Sequence, residues 1–174
     1  LKEAGVALPV YCVQEPELPL LLSKSTNLFK LFLSDVGLLA SMYVDGLQLK
    51  ILSREKDINF GAIYENVAAQ ELKAHGFELY YFNSKKQGEL DFVIEYKGNV
   101  LPLEIKSGKA YTRHNALDNV LKEEKYAIPQ AFVFCNKNIS TQEKIAYLPI
   151  YMIGFLEKEK IEEYIYSIDL SALQ

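Results

Sequence analysis

Apolar positions along the chain follow two different periods. Between Asn27 and Met42, the residues Leu28, Leu31, Phe32, Leu38, Leu39 and Met42 recur at three and four, a spacing that predicts one helix or two short ones broken near Asp35–Gly37. In Glu89–Tyr96 and Val100–Lys106 the period falls to two, and Lys97-Gly98-Asn99 between them is a hairpin turn. Ahead of these, Leu1–Leu22 carries Pro9, Pro16 and Pro19 with apolar patches at Val10–Val13 and Leu18–Leu22, which suits an extended strand or a wing-like connection. Gly61–His75 predicts a helix capped by Asn59 and closed by Gly76. Phe77–Phe82 reads as a strand and Asn83–Gly88 as a polar loop. Arg113–Glu124 reads as a helix with Leu117, Val120 and Leu121 on one face, and Ala131–Cys135 as a fully apolar strand. Residues 137–174 add a weaker strand near Ala146–Ile150 and an acidic helix near Glu157–Ile165. The polar stretch 45–59 places a junction near residue 55, separating 1–55 from 56–174. The order helix, strand, hairpin, helix, strand implies an α/β domain whose mixed sheet has an antiparallel hairpin at its heart and a helical crossover to Ala131–Cys135.

The hairpin can be phased from its turn. A two-residue turn at Lys97-Gly98 pairs Tyr96 with Asn99, which sets Asp91 across from Glu104. Leu90, Phe92, Ile94 and Tyr96 then share one face with Leu101, Leu103 and Ile105, while Asp91, Glu104 and Lys106 share the other. Two carboxylates facing each other on a sheet repel unless a positive charge sits between them. A divalent cation is a natural partner, since hard Mg²⁺ takes one or two carboxylates plus waters and substrate phosphate. The plain structural alternative is a solvated strand face with a Glu104–Lys106 ion pair.

Composition narrows the classes. The 174 residues are 49% hydrophobic and 24% charged, enough for a packed core and unlike a disordered chain. No apolar run approaches the roughly 20 residues of a membrane span. Cys12 and Cys135 have neither metal-ligand spacing nor the density of a disulfide scaffold, which suits a reducing cytoplasm. The chain starts without Met or the order of a signal peptide and reads as a cut into a longer protein. A net charge of −4 argues against a surface coated in positive charge for non-specific nucleic-acid binding. The charge is uneven: residues 84–125 carry +1, against −3 before them and −2 after.

Asp91 followed by Glu104-Ile105-Lys106, with Glu65 on the preceding helix, resembles the signature of the PD-(D/E)XK nuclease superfamily. More narrowly, Tyr64-Glu65-Asn66, Gly88-Glu89-Leu90-Asp91-Phe92-Val93, Leu103-Glu104-Ile105-Lys106-Ser107-Gly108 and the upstream run from Phe29 to Leu39 resemble an uncharacterised domain family found behind AAA-type ATPase modules in bacteria and archaea. Leu90 stands where the superfamily's name has Pro. The resemblance implies a restriction-endonuclease-like mixed sheet with flanking helices, preceded over 1–55 by part of a winged-helix-like segment. It implies Asp91, Glu104 and the Ile105 carbonyl as ligands of Mg²⁺ or Mn²⁺, and Lys106 as the group orienting water. Glu65 would be an outer carboxylate or the ligand of a second metal. Lys109, Arg113 and His114, with Lys85 and Lys86, are the candidates for contact with nucleic-acid phosphate. The implied partner is an N-terminal ATPase module, with no membrane and with room for an oligomer. No GxxxxGK[ST] motif is present, so no nucleotide site is expected in this chain. A non-catalytic module that binds nucleic acid or docks on the ATPase remains the alternative. His75 reads as a capping cation near a helix end, and Tyr80 and Tyr81 as sheet residues.

Overall fold

In the computed structural model, residues 2–43, 49, 53 and 60–158 are described. Eight strands form one mixed sheet: β1 (Ala7–Val13), β2 (Lys24–Leu33), β3 (Tyr80–Ser84), β4 (Gly88–Tyr96), β5 (Asn99–Lys106), β6 (Ala131–Cys135), β7 (Ser140–Gln142) and β8 (Ile145–Pro149). Their spatial order is β2-β1-β3-β4-β5-β6-β8-β7. The helices are α1 (Val36–Met42), α2 (Gly61–Ala74) and α3 (Asn115–Lys122), joined by single-turn 3₁₀ segments such as Leu20–Ser23 and Glu124–Tyr126.

The hairpin register is the one its turn dictates. Lys97 and Gly98 both have positive φ, 49° and 69°, the combination that matches a two-residue turn to the twist of its strands. Tyr96 pairs with Asn99, and the ladder continues to Phe92 opposite Leu103. Helix α3 carries the chain from β5 to β6, which lies parallel to β5 with Lys106 beside Cys135.

Two hydrophobic clusters cover the two faces of the sheet. One joins Phe92, Ile94, Leu101, Leu103 and Ile105 to Ala68, Ala69 and Leu72 of α2. The other joins Leu90, Val93 and Val100 to Leu117 and Val120 of α3. Side chains alternate along a strand, so Leu90 and Phe92 should share a face. They do not. Opposite β3 the pairing moves from Tyr80–Val93 to Phe82–Leu90, so β4 holds one extra residue there, a β-bulge. The single polar face expected for the hairpin is therefore replaced by a second core, and the alternation breaks at Asp91.

The helix expected across Asn27–Met42 is also corrected. Lys24–Leu33 is a strand, paired antiparallel with β1 from Ala7–Leu33 to Val13–Lys24. A helical stripe would bury Leu28, Leu31 and Phe32 together, yet only Phe32 is buried and Leu28 and Leu31 stay exposed. Pairing with β1 decides the backbone, and the three-four spacing is incidental. The expected break at Asp35–Gly37 is the start of α1, where the Asp35 carboxylate accepts bonds from Gly37 N at 2.6 Å and Leu38 N at 3.2 Å, an N-cap.

Residues 7–33, assigned by the sequence to a segment ahead of the junction, thus supply two strands of the sheet, with β1 parallel to β3. The junction near residue 55 and the capping role of Asn59 lie outside the described residues; α2 starts after Phe60 without a side-chain cap. It ends as expected at Gly76, φ 81°, where Gly76 N and Phe77 N bond back to Lys73 O and Leu72 O. The acidic helix near Glu157–Ile165 lies outside the described residues apart from Glu157 and Lys158, which are not helical.

Candidate functional site

The site forms where the β4–β5 ladder opens. Asp91, the extra residue of the bulge, turns its carboxylate toward β5 and accepts a hydrogen bond from Ile105 N at 2.8 Å. In an extended strand the N–H and C=O of one residue point to the same neighbour, so the Ile105 carbonyl also faces β4. One position before it, Glu104 is 2% exposed. One position after it, Lys106 reaches back to Glu104, Nζ to Oε2 2.8 Å.

Burial, followed by the charge of Asp91, pushes the Glu104 carboxyl up to about 8. For Lys106, burial pulls downward, but the charges of Glu104, Asp91 and Glu65 outweigh it and leave the ammonium above its usual value. The two groups act on each other: Glu104 raises Lys106, and Lys106 draws Glu104 downward without offsetting its burial. Glu104 resists ionising because it is an enclosed carboxyl facing a second carboxylate. Glu65, on α2, is half-buried and is also raised, by burial first and then by Asp91. Lys30 and Lys106 act on it in the opposite sense. The four residues that sequence singled out for chemistry, Glu65, Asp91, Glu104 and Lys106, therefore lie within electrostatic reach of one another although they come from three elements.

Lys30 was missed. It comes from β2, pairs with Glu89 at 2.5 Å, and lies 5.0 Å over the Tyr81 ring. A helix over 27–42 conceals it, whereas strand alternation would have placed it on the face of Leu28 and Phe32. Asn136 was missed too: its amide exchanges bonds with the Tyr64 hydroxyl and donates to Ser107 O at 3.2 Å, tying α2, the end of β5 and the end of β6 together.

The residues proposed for phosphate contact divide. Lys85, Lys86, Lys109 and Arg113 are exposed, and antiparallel pairing puts the β3–β4 turn at the same end of the sheet as Lys106. Lys86 is held by Glu123 at 2.9 Å. His114 differs: it is 7% exposed, and its ring nitrogens engage Tyr147 Oη at 2.8 Å and Asp118 Oδ1 at 3.0 Å. That network fastens α3 to β8 and leaves no ring nitrogen for a phosphate. His75 makes a 2.7 Å contact from Nδ1 to Leu156 O at the end of α2, and Tyr80 and Tyr81 are buried in the sheet.

Among the described residues, no three His, Cys, Asp or Glu side chains converge as a metal-holding group. A cation here would need main-chain, water or substrate oxygens beside the two carboxylates, the kind of donor set that Mg²⁺ accepts. The enclosed Glu104 carboxyl and its carboxylate neighbour fit that requirement, because a positive ion removes the repulsion that opposes ionisation of Glu104. Also among the described residues, no helix is long and apolar enough to cross a membrane.

Fold and site together define a mixed α/β domain that carries a carboxylate and lysine cluster at a bulge in its central hairpin. A family model described as "Domain of unknown function (DUF4143)" matches residues 60–153, from the start of α2 to just past β8, and the chain belongs to that family. No match was found among curated proteins or among solved structures.

Proposed function

We propose that this chain is a metal-dependent, PD-(D/E)XK-like nuclease domain that follows an AAA-type ATPase module and hydrolyses phosphodiesters in nucleic acid. The observation that carries the reading is the contact among Asp91, Glu104 and Lys106 at the bulge: two carboxylates in conflict, one of them enclosed, with an ammonium 2.8 Å from Glu104. A merely solvated strand face would leave such a carboxyl in water. Asp91, Glu104 and the Ile105 carbonyl would hold Mg²⁺ or Mn²⁺. Bound there, the cation would supply Lewis acidity toward a phosphodiester oxygen. Lys106, partly exposed and fixed by Glu104, presents a proton donor and positive charge to the attacking water and to the phosphate. Lys109, Arg113 and Lys85 stand at the same end of the sheet, where positive charge orients a nucleic-acid backbone.

The test is cleavage of labelled DNA and RNA by the chain with Mg²⁺ or Mn²⁺. Activity that depends on the cation and disappears in Lys106→Ala is expected. Cleavage unchanged in Lys106→Ala, or nucleic-acid binding without any cleavage by the native chain, would favour a docking module instead.

A further inference from the structure

Beside Lys106 a second feature opens. The β5–β6 register sets Cys135 next to Lys106, and the chain beyond Cys135 forms one wall of a cleft of about 430 Å³. That wall is Asn136, Lys137 and Asn138; the other is Pro149, Ile150 and Tyr151, at the end of β8. The cleft thus sits at the carboxyl ends of two adjacent parallel strands, where open α/β sheets place ligands. Its lining contrasts with the neighbouring site. It holds no acidic residue, one ammonium, two side-chain amides, and an aromatic ring that is 70% exposed. The bonds of Asn136 to Tyr64 and to Ser107 O make its rim continuous with the helix of Glu65 and with the residue after Lys106.

We infer that this cleft is a nucleobase subsite, and that the nucleic acid entering the Asp91–Glu104–Lys106 site does so as a single strand. The inference rests on the proposed reading of that site. A base in a duplex has both faces stacked and its pairing edge occupied. Tyr151 offers a ring face and the exposed Asn138 offers an amide donor and acceptor to a base that is free on both counts, while Asn136, already bonded to Tyr64 and Ser107 O, fixes the rim. Lys137 supplies charge for the adjoining phosphate. A volume of about 430 Å³ is of the size of one nucleotide. The ring also explains itself: an exposed tyrosine on a 3₁₀ turn gains nothing for the core, whereas base stacking on an aromatic ring is sequence-tolerant and strong.

Fluorescence anisotropy with a labelled oligonucleotide, single-stranded and as the matching duplex, tests this on the whole 174-residue chain in EDTA, where cation-dependent cleavage cannot occur. The single strand is expected to bind at least about fivefold more tightly than the duplex. Tyr151→Ala should weaken single-strand binding about tenfold and leave duplex binding unchanged, and Lys137→Ala should weaken it and flatten its salt dependence. Both side chains are exposed, so neither variant threatens the fold. Equal affinity for the two forms, no binding of either, or an unaltered Tyr151→Ala would overturn the inference. Because binding is read without a divalent cation, a chain that prefers single strands through Tyr151 but cleaves nothing would remove the proposed reaction and leave the subsite standing. A chain that cleaves but shows no Tyr151 effect would do the reverse.

Discussion

The Asp91 carboxylate accepts the hydrogen bond of Ile105 N at 2.8 Å. One side chain therefore both ends the β4–β5 ladder and faces the enclosed Glu104. The two roles can be separated. Asp91→Asn keeps an acceptor oxygen, so its unfolding free energy should stay within about 1 kcal/mol of the native chain, whereas Asp91→Ala leaves Ile105 N without its partner and should cost about 1–3 kcal/mol. Urea unfolding measures both. Any cation-dependent cleavage should fall by about 100-fold or more in each, and an Asp91→Asn chain with native activity would remove Asp91 from the site.

Glu104 makes stability depend on pH. Its folded-state value, about 8, lies above its ordinary 4.5, so between those values the folded chain holds a proton that the unfolded chain releases. Stability from this group is complete below pH about 4.5 and declines as pH rises toward 8, by up to about 1.4 kcal/mol per unit. Thermal unfolding of the cation-free chain should show that decline, and Glu104→Gln should flatten it while raising the melting temperature at pH 8. A native slope in Glu104→Gln would show that the decline comes from elsewhere.

A divalent cation should reverse the effect of Glu104. At pH 8 and a Mn²⁺ concentration about 100 times its dissociation constant, linkage raises stability by about 2.7 kcal/mol. The gain should vanish in Glu104→Gln and in Asp91→Asn, and calorimetric titration should show proton release on binding when performed below pH 8. Equal stabilisation of the native chain and both variants would place the cation elsewhere.

Asn66 joins the site's helix to the edge of the sheet. It is 1% exposed and bonds Leu33 twice, accepting from N at 2.8 Å and donating to O at 2.9 Å. Asn66→Ala should cost about 2–3 kcal/mol in urea unfolding and speed hydrogen exchange at the Leu33 amide. Protection of that amide at the native level would contradict the assignment.

Gly88 opens β4 at φ 100°, where a Cβ would meet the Ala116 Cβ at 3.0 Å. Gly88→Ala therefore incurs both backbone strain and crowding against α3 and should destabilise by about 1–3 kcal/mol. Adding Ala116→Gly should return only the crowding share. Thermal denaturation of the two single variants and the double variant separates the two, and an additive cycle would mean that the helix does not press on the turn.

The parts of the fold visible in the sequence are those fixed by local chemistry. Lys97-Gly98 set the hairpin register, Gly76 closed α2, and the unbroken run at Ala131–Cys135 announced a strand buried on both faces. What sequence alone missed depends on partners remote along the chain. β2 is a strand because β1 lies beside it, and Lys30 reaches Glu89 only after that pairing is made. The bulge at Asp91 is hidden for a related reason: it interrupts a strand whose period of two is regular on either side, and only the pairing with β3 reveals the extra residue. Asp91, Glu104 and Lys106 could be named from the phase of the hairpin and Glu65 from the family resemblance, but the enclosure of Glu104 and the diversion of His114 into a network with Asp118 and Tyr147 exist only once the chain is folded.

The parallel pairing of β1 with β3 joins Tyr11–Val13 to Tyr80–Phe82, yet the family match begins at residue 60. The unit recognisable by descent is therefore smaller than the unit that folds. A fragment trimmed to the family boundary would strip β3 of its neighbour, turning an interior strand into an adhesive rim and uncovering the sheet where Val10 and Phe32 now lie.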